Sequence, residues 1–211
     1  MYITWLGQAC FKIQGKEATI ITDPFEPKIG LNMPHLKADV VTVSHDHYDH
    51  NNVKAISGQP FVIDTPGEYE IKNILIQGIP SWHDDKEGAE RGANIIYIFV
   101  FEEIKIAHLG DLGTTLSQEQ LEKIEGVDIL LIPVGGVYTI DGKKAAEVIS
   151  QIEPRIVIPM HYKIPKLKEK INNEDLFCKE MGIKNDNVEQ RLKITKKDLP
   201  VEETKIIFLK P

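Results

Sequence analysis

One stretch limits what this chain can fold into more than any other. Residues 40 to 43, Val-Val-Thr-Val, run straight into Ser44-His45-Asp46-His47-Tyr48-Asp49-His50. The first part has the β-branched shape that suits a pleated, buried strand. Three histidines and two aspartates in the next six residues cannot pack at the end of such a strand unless something offsets their charge and desolvation. A metal ion is the usual agent. Side chains alternate along an extended chain, so His45, His47 and Asp49 share one side and His50 follows as the chain turns. Imidazole and carboxylate suit zinc, and manganese or iron also accept them. A solvated loop is the simpler account of a lone His-x-His. For His-x-His-x-Asp-His directly after a buried strand, metal binding is the expectation.

The rest of the chain supplies more strand ends. Its first half reads as strands at 2–6, 9–13, 18–22 and 61–64, one or two more within 68–79, and a pair at 93–101 and 104–109. The second half alternates. Ser117-Gln118-Glu119-Gln120 opens a helix as a capping box, and a strand follows at 127–133. A helix at 141–152 stops before Pro154, then a strand at 156–159, a helix at 174–181 and a last strand at 205–209. This pattern is α/β (α+β layered), with hairpin sheets covered by helices. Residues 26–38 carry Pro27, Gly30 and Pro34 and read as loop. His83, Asp111 and His161 each follow a strand end, where ligands gather in layered sheet folds. Isolated His35 reads as surface, and His108, inside a strand, as core or support for the site. Asp23 suits the turn before Pro24. Asp84 and Asp85 read as a solvated loop pair.

A chain of 211 residues, 42% hydrophobic, is expected to form one domain over 1–211 whose core needs no disulfide. A net charge of −7 argues against a general polyanion-binding surface. Cys10 and Cys178 make neither a ligand pair nor a disulfide framework, and residues 1–6 lack signal-peptide character, so a cytoplasmic setting is expected. No apolar stretch is long enough to span a membrane. Association with a second copy of the chain is left open.

The His-x-His-x-Asp-His run resembles the metal-binding signature of the metallo-β-lactamase superfamily, a large group of mostly hydrolytic enzymes. Further stretches are similar to its L-ascorbate-6-phosphate lactonase-like branch. They are Thr4-Trp5-Leu6-Gly7-Gln8-Ala9-Cys10-Phe11, Asp23-Pro24-Phe25, His108-Leu109-Gly110-Asp111 and Pro159-Met160-His161-Tyr162. The resemblance implies a four-layer αβ/βα sandwich with metals at one edge of paired sheets. It also implies a ligand set: His45, His47 and His83 for one ion, Asp49, His50 and His161 for a second, and Asp111 bridging them. Support for the metal site, the alternative reading of Asp23, is likewise what the resemblance implies. A dinuclear centre of two divalent ions, zinc or manganese with iron also admissible, is therefore expected. Such a centre generates hydroxide near neutral pH, and Asp49 is the candidate catalytic acid/base.

That branch acts on lactones or phosphodiesters, so the expected substrate is a small or short phosphodiester or a phosphorylated lactone. RNA or DNA enters only as a substrate of a small nuclease or phosphodiesterase. Two other readings stay open: a metal-binding regulatory or structural protein without hydrolytic activity, and a di-iron oxidoreductase. Gly136 and Tyr138, within Gly135-Gly136-Val137-Tyr138-Thr139, are candidate substrate contacts, although Gly-Gly also suits a plain tight turn.

Overall fold

A computed structural model describes residues 1–186 and 188–211. β1 (Tyr2–Gly7), β2 (Cys10–Gln14) and β3 (Thr19–Thr22) form an antiparallel meander. Within the segment expected to be pure loop, β4 (Leu36–Lys37) forms a short parallel pair with β6 (Ile56–Ser57). β5 (Val40–Thr42) adds parallel to β3, and β7 (Phe61–Ile63) adds parallel to β5.

The second sheet begins with the hairpin β8 (Gly67–Ile71) and β9 (Ile74–Trp82) and continues antiparallel through β10 (Ala93–Phe101) and β11 (Ile104–His108). It then turns parallel: α1 (Gln118–Ile124) leads to β12 (Ile129–Pro133), and α2 (Gly142–Ile152) leads to β13 (Ile156–Met160). α3 (Asp175–Glu180) packs on α2. The tail gives β14 (Val188–Glu189), β15 (Leu192–Lys193), β16 (Lys205–Ile206) and β17 (Phe208–Leu209). β15 completes the first sheet in the order β15-β1-β2-β3-β5-β7, and β16 completes the second in the order β16-β13-β12-β11-β10-β9-β8. The layered α/β arrangement is the one read from the sequence, and the pairing of two sheets is the one the resemblance implied.

The local chemistry explains these elements. β12 and β13 are buried at every position, as parallel strands covered on both faces must be. β1 alternates half-buried and buried residues, the mark of a strand with one face on the core. The inner faces of the two sheets share one apolar cluster, from Ile3, Trp5 and Ile13 to Ile96, Phe99 and Ile132. The capping box at Ser117 and Gln120 is present, and Asp141 caps α2 by accepting from the amides of Lys143 and Lys144. Tyr97 on β10 reaches across the sandwich, with its hydroxyl 3.0 Å from the carbonyl of Val43 and 2.9 Å from that of Ile63. It thereby ties the second sheet to the strand ends from which the histidine-rich loop departs. Among the described residues no helix is long and apolar enough to cross a membrane.

Candidate metal centre

The histidine-rich loop is held from beneath by one carboxylate. Asp23 is fully buried with a φ of 39°, and its Oδ1 accepts from the Ser44 amide at 2.7 Å. Its Oδ2 accepts from Ser44 Oγ at 2.6 Å and lies 3.0 Å from His50 Nδ1. An ionised carboxylate only accepts, so His50 carries a proton on Nδ1 and turns its Nε2 towards the site. Ser44 Oγ, its proton given to Asp23, accepts from His45 Nδ1 at 2.9 Å. His45 thereby also carries a proton on Nδ1. Asp23 is both the turn residue and the support for the site, and the two sequence readings of it do not compete.

The remaining side chains arrive from the second sheet. His83 follows the end of β9, Asp111 lies three residues beyond β11, and His161 leaves β13 with a φ of 51°. Asp111 is aimed by Asn94 on β10, whose Oδ1 accepts the Asp111 amide at 2.9 Å while its Nδ2 donates to Ser81 Oγ and to the carbonyl of Leu109. Gly113 lets two backbone segments meet: a Cβ there would sit 2.2 Å from the His83 carbonyl carbon.

All seven expected residues come together. His45, His47 and His83 form one group, Asp49, His50 and His161 another, and His45, His50 and Asp111 a third that joins them; in each group the ligand atoms lie within 4.8 Å of one another. Asp111 Oδ2 is 3.3 Å from the Nε2 atoms of His50, His83 and His161, and 3.9 Å from that of His45. One oxygen cannot hydrogen-bond four imidazoles, and 3.3 Å is longer than the usual 2.7–3.2 Å range. It does match the edge of a tetrahedron around an ion with bonds of about 2.1 Å, an edge of about 3.4 Å. His45 Nε2, His50 Nε2 and Asp111 Oδ1 are buried without a hydrogen-bond partner among the described residues. These residues fit a divalent cation.

The electrostatics agree. Burial, reinforced by the charge of His50, pushes His45 down to about 2, and burial also lowers His83. Both are neutral imidazoles at pH 7, the form that binds metal. Burial alone would lower His50 too, but Asp111, Asp23 and Asp49 hold it well above the ordinary histidine value. Burial would raise Asp49 and Asp111. His50, whose Nε2 is 3.5 Å from Asp49 Oδ2, overcomes it for Asp49, and the charges of His161 and His50 overcome it for Asp111, so both stay below the usual carboxylate range. The site therefore sets the anionic Asp49 and Asp111 among imidazoles of which His45 and His83 are neutral. His47 is exposed and opens the cluster to solvent.

Other residues depart from the sequence reading. Gln8, between the strands read at 2–6 and 9–13, is fully buried with its amide in the site. Asp84 is buried, not solvated: its two oxygens accept four backbone amides, from Lys86, Gly88, Glu90 and Arg91, which organise the loop after His83. Asp85 is exposed as expected. His108 lies in the core with Nε2 donating to the Ala9 carbonyl at 2.8 Å, and His35 is exposed. Gly136 gives its amide to the Ile140 carbonyl at 3.3 Å, and Tyr138 gives its own to Gly136 at 2.8 Å. Those two amides are thus spent on the loop's own turn, and the exposed Tyr138 side chain has the Arg91 guanidinium 5.7 Å from its ring. Beside His45 and His47 a groove of about 420 Å³ runs past Asp64 and Pro66 to Arg91.

A family model for the beta-lactamase superfamily domain matches residues 2–161, a span that contains all seven clustered side chains. A metal-dependent hydrolase from Methanopyrus kandleri is 28% identical over 193 residues, covering 77% of this chain and 84% of its own. Another, from Thermococcus onnurineus, is 29% identical over 188 residues, covering 76% and 84%. Among solved structures, a Thermotoga maritima protein provisionally described as a Zn-dependent hydrolase of the metallo-β-lactamase superfamily is 38% identical. It superposes with a TM-score of 0.79 over 99% of this chain and 97% of that one.

Proposed function

The chain belongs to the beta-lactamase superfamily, and from that premise we propose that it is a metal-dependent hydrolase holding two divalent ions, zinc or manganese, to cleave a phosphodiester or a phosphorylated lactone. The observation that carries this reading is Asp111 Oδ2, set 3.3 Å from three imidazole nitrogens that belong to two neighbouring ligand groups.

His45, His47 and His83 would hold one ion, Asp49, His50 and His161 the other, with Asp111 between them. When bound, such ions lower the pKa of a water and draw electron density from the scissile group. The side chains do the rest. Asp49, kept ionised and half-buried, offers a carboxylate oxygen to take the proton of the attacking water. Asp23 and Ser44 fix the rings of His50 and His45 so that their Nε2 atoms cannot turn away.

Beside the acidic Asp46 and Asp64, the groove offers an anionic ester one cation. Arg91 is one of three arginines in the chain. Arg155 pairs with Asp128 and Arg191 sits over Tyr2; Arg91 has Glu90 Oε2 3.6 Å from its Nη1 and lines the groove that starts at His45 and His47. A guanidinium there presents a fork that matches a phosphate.

The test is a panel of nitrophenyl phosphodiesters, phosphorylated lactones and short RNA, run on protein reloaded with zinc or manganese, with the bound metal quantified. Two equivalents per chain and turnover of an anionic ester are expected. Asp111→Ala should abolish both the second equivalent and the turnover. Full activity in Asp111→Ala would end this reading.

A further inference from the structure

Gln8 is a polar side chain that the fold treats as core. It is 0% exposed and adopts a φ of 50° in the turn between β1 and β2. Its carbonyl accepts from the indole of Trp5 at 2.8 Å and from the amide of His161 at 3.2 Å. Its Nε2 lies 3.2 Å from Asp49 Oδ2 and 3.4 Å from His161 Nε2. Because a carboxylate only accepts, the nitrogen end of the amide is the end that faces Asp49. The opposite atom, Oε1, is buried with no partner among the described residues, an arrangement that native folds seldom keep without a use.

The two side chains that Gln8 touches come from different sheets, Asp49 from the loop after β5 and His161 from the end of β13. Gln8 thus brackets one half of the site, through its backbone on one side and its amide on the other. The other half has different supports, with Ser44 behind His45 and Gly113 against His83. We propose that Gln8 is the positioning residue for the ion held by Asp49, His50 and His161, fixing the Asp49 carboxylate and the His161 ring relative to each other. This rests on the two-ion reading above.

The test is a Co²⁺ titration of the metal-free full-length protein, followed by equilibrium dialysis and visible absorption. Gln8→Met keeps the length of the side chain and removes the donor. Gln8→Asn keeps the amide but withdraws it by one methylene. Each should weaken, by about 10–100-fold, the equivalent that Asp49→Ala abolishes, and leave the other within about twofold. Both equivalents binding as in the wild type, or both weakening alike, would overturn the proposal, as would loss of the near-UV circular dichroism in both variants. A single equivalent in the wild type would sink the two-ion reading instead. Gln8 then keeps its role if the variants weaken that equivalent and loses it if they do not.

Discussion

Asp39 carries a charge across the seam between the sheets. It precedes β5, its Oδ2 accepts the Thr19 amide of β3 at 2.8 Å, and its Oδ1 meets Lys72 Nζ at 2.6 Å, in the turn between β8 and β9. The Lys72 hydrogen bond holds its carboxyl below the ordinary value. A lowered folded pKa stabilises the protein above the unfolded value, about 3.9 for aspartate, and the effect fades as pH falls through the folded value. Lys72 is half in water, so the pair is worth at most about 1 kcal/mol. Asp39→Asn should lower Tm by roughly 1–3 °C at pH 7, and the gap should close below about pH 4. A gap that does not narrow as pH falls from 7 to about 2 would mean that the charge is not its source. At this scale the metal side chains were legible in the sequence, because histidine and aspartate at strand ends have few other uses. Gln8, Asn94 and Asp84 were not. Amides and loop carboxylates are common on surfaces, and only burial and the atoms they face reveal that Gln8 and Asn94 reach the cluster.

Among the elements, the connection after β11 shows how a short motif serves the site. In Leu109-Gly110-Asp111-Leu112-Gly113 the aspartate is flanked by two close backbone approaches. A Cβ on Gly110, whose φ is 55°, would meet Asn94 Oδ1 at 2.4 Å, and one on Gly113 would meet the backbone of His83 and Asp84 at 2.2–2.4 Å. Gly113→Ala must push His83 away. We expect a loss of about 1–3 kcal/mol in stability and weaker metal binding at the His45, His47 and His83 group than at the other. Thermal unfolding together with a two-site metal titration checks both, and unchanged binding at His83 would contradict the packing argument. The strands and helices themselves were legible, because β-branched runs and capping residues act locally: β10 lies where its apolar run lies, and Ser117 caps as its spacing requires. The two-residue strands β4, β6, β14 and β15 were not, since partners far along the chain decide whether so short a segment pairs. Two sheets meeting face to face likewise came from the resemblance and not from periodicity, which reports which face is apolar but not what covers it.

For the molecule as a whole, the site spans the seam. Four of the seven side chains come from the loop after β5 of the first sheet, and three from separate strand ends of the second. Cations bound there join the two layers and bind only the folded chain. Chelation should therefore lower Tm, and zinc or manganese at about 100 times its Kd should restore about 2.7 kcal/mol, roughly 5–10 °C for a chain of this size. A Tm that ignores the metal would count against a built site.

The same division has a temporal side. A ribosome releases His45, His47 and His83 well before His161, 78 residues later than His83. At roughly 5–20 residues per second that interval is about 4–16 s. On the two-ion reading, the three histidines of one cation group therefore precede the last side chain of the other by that interval.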